Sequence, residues 1–113
     1  MAGSLLPRWR GVDRVYEEVG AWLDQRGVGH DVVVMANNPP ALWYHTGRPS
    51  VVVPAPVGDV ETLLAVADRY EVTYVVLDHN WGIPSHKDIH PRLHLVAVLW
   101  DRSSRVVLYG VTR

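Results

Sequence analysis

Val12, Val15, Tyr16, Val19, Trp22 and Leu23 recur at helical spacing and predict a helix over Val12 to Arg26 with one buried face. Glu17, Glu18, Asp24 and Gln25 fall on its outer side, and Gly27 follows as a left-handed C-cap. Asp31 to Ala36 then reads as a short, continuously apolar, β-branched strand, the pattern of a strand covered on both faces. Asn37-Asn38-Pro39-Pro40 ends it and opens a short helix, with Asn38 as cap and proline where the first turn tolerates it. Ala41 to His45 forms the body of that helix and Gly47 closes it; Trp22 and Trp43 are expected in the core.

Ser50 to Val53 is a second apolar strand, stopped by Pro54 and Pro56. Asp59 caps a third helix running through Tyr70, with Glu61 near the positive end of its dipole. Val60, Leu63, Leu64, Ala67 and Tyr70 make its inner stripe, and Thr73 to Leu77 is a third strand. After an irregular stretch from Asp78 to Arg92, Leu93 to Trp100 and Arg105 to Val111 flank a polar turn too short for anything but an antiparallel hairpin. The alternation predicts an α/β fold: a three-layer Rossmann-like sandwich, with a mostly parallel sheet in order 2-1-3 and the C-terminal hairpin antiparallel. Residues 12–113 read as one domain, and 1–11 as a tag or linker remnant.

Composition narrows the function classes. The 113 residues are 48% hydrophobic and 20% charged, enough for one core and far from a disordered composition. A net charge of −1, with every basic residue but Lys87 a scattered arginine, makes nucleic acid an unexpected partner. The absence of cysteine removes disulfides and thiolate metal sites, and no run reaches the ~20 apolar residues of a membrane span.

Chemical motifs are sparse. No G-x-G-x-x-G follows a strand and no P-loop occurs; Gly27-Val28-Gly29 lies after a helix and before a strand, the wrong order for a phosphate cradle. His79, His86, His90 and His94 share a region with Asp78 and Asp88, but Pro84 and Pro91 interrupt it and Lys87 adds a competing charge. Ordinary loop histidines are therefore expected, with no metal, cofactor or catalytic residue. The candidate ligand surface is the carboxyl edge of the parallel strands, comprising Asn37, Asn38, Asp78, His79 and Trp81. Helix N-termini with free backbone donors are expected there, and an indole in a polar loop suits a sugar face or a membrane interface.

The string DVVVMANNPPALWYHTGRPSVVVP, Asp31 to Pro54, resembles the water-facing C-terminal domain of prokaryotic membrane glycosyltransferases related to the dolichyl-phosphate-mannose protein mannosyltransferases. The resemblance rests on Asn37 to Pro40, Leu42-Trp43-Tyr44 and Thr46-Gly47-Arg48-Pro49. It extends to Leu23–Arg26, Leu63–Tyr70, Thr73–Leu77 and Val107–Tyr109, and is weakest from Asn80 to Arg92. It implies a polytopic enzyme of the GT-C type that uses a polyprenyl-phosphate sugar at the extracytoplasmic face of the membrane. That family's catalytic carboxylate lies between transmembrane helices, and nothing in this chain corresponds to it. The domain is thus expected to be inactive alone. It would serve acceptor recognition, donor recognition or scaffolding beside the parent's transmembrane region, with the polyprenyl-phosphate sugar or a glycan or protein acceptor as further partners. The alternative is a free-standing small-ligand module using the strand-end groove; a metal enzyme centred on the histidine loop ranks below both.

Overall fold

The computed structural model describes residues 15–54, 59–78, 90–101 and 104–112. In chain order the elements are α1 (Val15–Gln25), β1 (Val34–Ala36), α2 (Pro39–Thr46), β2 (Ser50–Val52), α3 (Val60–Arg69), β3 (Tyr74–Asp78), β4 (Leu93–Asp101) and β5 (Ser104–Val111). The chain is a mixed α/β protein with one five-stranded sheet in the order β2-β1-β3-β5-β4.

The parallel part has the predicted 2-1-3 order, with Met35 beside Val51 on one side and Val75 on the other. The sheet as a whole is mixed rather than mostly parallel, because the hairpin enters with its second strand first. β5 pairs antiparallel with both β3 and β4, so half of the strand pairings are antiparallel. A bulge between Leu95 and Ala97 bends the outer hairpin strand.

Alternation along the strands sorts two cores. Val34, Ala36, Val76, Val106 and Leu108 face α1 and α2, where they meet Val15, Tyr16, Val19, Leu23 and Leu42. Met35, Val75, Leu77, Val107 and Tyr109 face the other way, onto Leu63, Leu64 and Ala67 of α3. Burial on both faces explains why these strands read as unbroken apolar runs. β1 begins at Val34 rather than Asp31, because pairing to β2 and β3 spans only Val34 to Ala36. Asp31 lies in the turn before it, where the Val32 amide donates to the Gly29 carbonyl.

Two aromatic positions depart from expectation. Tyr70 caps α3 beyond its last full turn and is exposed, so the buried stripe stops at Ala67. In α2 the inward positions are Ala41, Leu42 and Thr46, which leaves Trp43 61% exposed instead of in the core. Trp22 is partly buried, set edge-on to Tyr74 at 5.8 Å with the Arg26 guanidinium over its ring.

The helix ends follow their local chemistry. α1 ends in a Schellman motif: the Val28 amide donates to the Leu23 carbonyl and the Gly27 amide to Asp24, with Gly27 at φ 70°. α3 ends the same way, Val72 donating to Ala67 and Glu71 to Asp68, but here Glu71 holds the left-handed position at φ 54°. A side chain there costs about 1 kcal/mol that glycine avoids. Glu71→Gly is expected to stabilise the domain and raise its Tm by roughly 4–8 °C. A Tm unchanged or lowered in thermal unfolding would contradict this account.

Candidate functional site

The carboxyl ends of β1, β2 and β3 lie on one edge of the sheet, and α2 and α3 begin there. Asn37, just past β1, accepts through Oδ1 from the Asp78 amide at 2.7 Å. This bond joins the ends of two strands 41 residues apart in sequence. Three of the candidate residues therefore cluster: Asn37 and Asp78 by that bond, and Asn38 as the neighbour of Asn37. His79 and Trp81 lie outside the described residues, as do Asn80, His86 and Asp88.

Asn38 caps α2, its Oδ1 accepting from the Ala41 amide at 3.2 Å and its carbonyl from Leu42 at 3.1 Å. Pro39 and Pro40 fill the first two helical positions and have no N–H to offer. The expected free donors are therefore missing between residues 39 and 42. At α3 the Asp59 carboxylate accepts from the Thr62 amide at 3.1 Å and hydroxyl at 2.8 Å. Those bonds, the amide first, hold its pKa below the usual carboxylate range.

The opposite edge contains a residue whose role sequence reasoning missed. Arg48 is fully buried although it is the longest charged side chain in its segment. Its Nη2 donates to the Val28 carbonyl at 2.7 Å and to Asp24 Oδ1 at 2.8 Å. Its Nη1 donates to the Thr46 carbonyl at 3.0 Å and its Nε to Gly29 at 3.3 Å. The guanidinium thus ties the α1–β1 turn to the end of α2. That end is shaped by Gly47, left-handed at φ 67° with its amide on the Trp43 carbonyl, and by Thr46, whose hydroxyl donates to Leu42. The planar fork of five donors suits a cage of converging carbonyls in a way lysine cannot match.

Asp24 is the exposed member of this group, and the Arg48 hydrogen bond, ahead of all other causes, lowers its pKa. A carboxylate with a folded pKa below its unfolded one adds stability above the unfolded pKa, and that stability is lost as pH falls through the folded value. Asp59 has the same sign. The unfolding free energy is expected to decline below about pH 4, and the decline should shrink in Asp24→Asn. Identical acid profiles for that variant and the parent chain in denaturant titrations would rule out a part for Asp24.

His90 and His94 are the histidines of the loop region that are described: His94 lies on β4 and His90 just before it. His90 Nδ1 accepts from the Arg92 amide at 3.1 Å, so Nε2 carries the proton and points at Glu61 Oε2, 3.0 Å away. Arg92 makes a two-pronged contact with Asp68 at 2.6 and 3.1 Å, and these pairs fasten the start of β4 to α3. Among the described residues no group of three or more His, Asp or Glu side chains is placed to hold a metal ion, and no helix is long and apolar enough to cross a membrane.

On the outer side of α2, Trp43 and Tyr44 project into solvent, Tyr44 81% exposed. The helix carries no Asp, Glu, Lys or Arg. No protein-family model, curated protein or solved structure matches the chain.

Proposed function

We propose that the chain is the non-catalytic, water-facing domain of a polytopic membrane glycosyltransferase that draws on a polyprenyl-phosphate sugar donor. Its part in the parent would be recognition of acceptor or donor, or scaffolding, on the extracytoplasmic face. Its 2-1-3 half would be the Rossmann-like portion of that domain. The observation that carries this reading is the division of labour within the Asp31 to Pro54 string. Asn38, Gly47 and Arg48 are spent on capping and tying the β1–α2–β2 unit together. Trp43 and Tyr44 of the same string face outward. Amphipathic rings of these two types favour surfaces that are apolar on one side and wet on the other, which describes a junction with a membrane-embedded partner.

The Asn37–Asp78 junction supports a second reading, a free-standing module that binds a small ligand across the strand ends. Fractionation separates the two. Expressed from its gene with all native flanking sequence, the protein is expected to sediment with membranes and to resist carbonate extraction. Recovery in the soluble fraction would remove the glycosyltransferase reading and leave the free-standing module.

A further inference from the structure

We propose that the outer side of β2 is a docking edge for an extended, uncharged segment of another polypeptide, which joins the sheet as a further strand beside Trp43 and Val52. The proposal does not rest on the glycosyltransferase reading. β2 ends the sheet order, and among the described residues no strand pairs with its outer side. Its ladder to β1 shows which backbone groups are left over. The Val34 amide donates to the Pro49 carbonyl and the Val53 amide to the Ala36 carbonyl, so residues 49, 51 and 53 turn their polar groups toward β1. Ser50 and Val52, between them, turn their N–H and C=O groups outward. Donors and acceptors alternating along an extended backbone are satisfied by a second extended backbone and not by a compact ligand.

The side chains beside this edge suit an apolar, uncharged segment. Val52 lies opposite Ala36 in the register, hence on the side of the sheet that carries α1 and α2, and it is 59% exposed. α2 packs on β2 and β1, whereas α1 packs on β4 and β5. His45 of α2 turns toward α1, its Nδ1 3.8 Å from Glu17 Oε1. Trp43, two residues earlier, is on nearly the opposite side of the helix, toward the free side of β2. The indole and Val52 thus flank the outward backbone groups on one side of the sheet, and the sequence from Pro49 to Gly58 carries no charge. A second copy of the chain is a poorer occupant. Three residues extend only about 10 Å, whereas a stable pairing buries roughly 800 Å² on each partner. Pro49 and Pro54 bound the strand, a device that stops sheets from pairing edge to edge. Pro49 costs no outward donor, because its position faces β1, so a single peptide still finds both amides.

Amide shifts and exchange rates of the 15N-labelled chain test this with the capped peptide acetyl-Thr-Val-Thr-Val-Thr-amide. In the chain alone the Ser50 and Val52 amides are expected to exchange freely at every protein concentration. Protection already present at low concentration would mean that another part of the chain covers the edge. Protection that grows with concentration, together with slower tumbling, would mean a second copy; either result overturns the proposal. The peptide is expected to cause saturable downfield proton shifts at Ser50 and Val52, to slow their exchange and to move the Trp43 indole signal. Silence at those amides, or shifts along Leu93 to Asp101 on the other edge instead, would overturn it. The same peptide N-methylated at every residue is expected to leave both amides unmoved; equal shifts would mean apolar contact without strand pairing, against the proposal. Val52→Pro removes one outward donor without touching the β1 ladder, and Trp43→Ala removes the exposed indole. Each is expected to weaken peptide binding about three- to tenfold. Unchanged affinity in either variant with a dispersed spectrum would overturn the placement, and Trp43→Ala decides alone if Val52→Pro does not fold.

Discussion

Arg48→Met is expected to lower stability by about 2–4 kcal/mol, a fall in Tm on the order of 10–20 °C. Methionine fills much of the volume but donates nothing, so the carbonyls of Val28, Gly29 and Thr46 lose their side-chain donor together. A buried acceptor left unpaired, as at Thr46, costs roughly 1–3 kcal/mol, and the part-buried carbonyls of Val28 and Gly29 cost less because water can reach them. Arg48→Lys should recover only part of the loss, because one ammonium cannot span carbonyls on two different turns. Asp24→Asn should be much milder than Arg48→Met, since the guanidinium keeps its three carbonyls. Thermal and urea unfolding of the three variants decide the matter. An Arg48→Met protein within about 0.5 kcal/mol of the parent chain, the scatter of ordinary surface changes, would end the account of Arg48 as a structural tie.

The close approach of α1 to α2 sets up the second large effect. A Cβ placed on Gly20 would lie 3.0 Å from the His45 carbonyl oxygen and 3.3 Å from Thr46 Cγ2. The carbonyl is backbone near the end of a short capped helix and has little freedom to retreat. Gly20→Val is therefore expected to destabilise by about 1–3 kcal/mol, the range for overpacking a tight contact. Gly20→Ala is the sharper control. In an exposed helix it would gain about 1 kcal/mol from propensity alone, and here the crowding should cancel that gain or reverse it. A Gly20→Ala protein more stable by the full propensity difference in denaturant unfolding would mean that the two helices part freely.

Features written in one short stretch of chain were legible in the sequence. Asn38, Asp59, Gly27 and Gly47 act where they were read, because caps depend on a few neighbouring residues. The parallel strands do stand in the expected 2-1-3 order, though apolar runs alone do not decide it, and the antiparallel pairing of the hairpin followed from the short polar turn between its strands. Arg48 was not legible, because its partners lie up to 24 residues away and an isolated arginine reads as surface. Trp43 misled for the opposite reason. Its apolar character suggested a core position, but a helix of 8 residues has room to bury only one narrow side, already taken by Ala41, Leu42 and Thr46. Glu71 went unnoticed because nothing local marks it as the left-handed residue that glycine supplies after α1. At the candidate site the separate residues were readable, while the bond that joins Asn37 to Asp78 was not, since it exists only once β1 and β3 are side by side.

The last of the described strands is an interior strand of the sheet: β5 lies between β3 and β4 and shares both cores. A chain emerging from the ribosome therefore holds β3 with one flank unpaired until residues beyond 104 have been made. Until then its two apolar faces also lack Val106 to Tyr109, which complete both cores. The sheet cannot close until β5 has been made, so between the synthesis of β3 and that of β5 the nascent domain presents an open strand edge. A stop codon between β4 and β5 would remove an interior strand and leave one side of β3 unpaired, rather than trim the margin of the sheet.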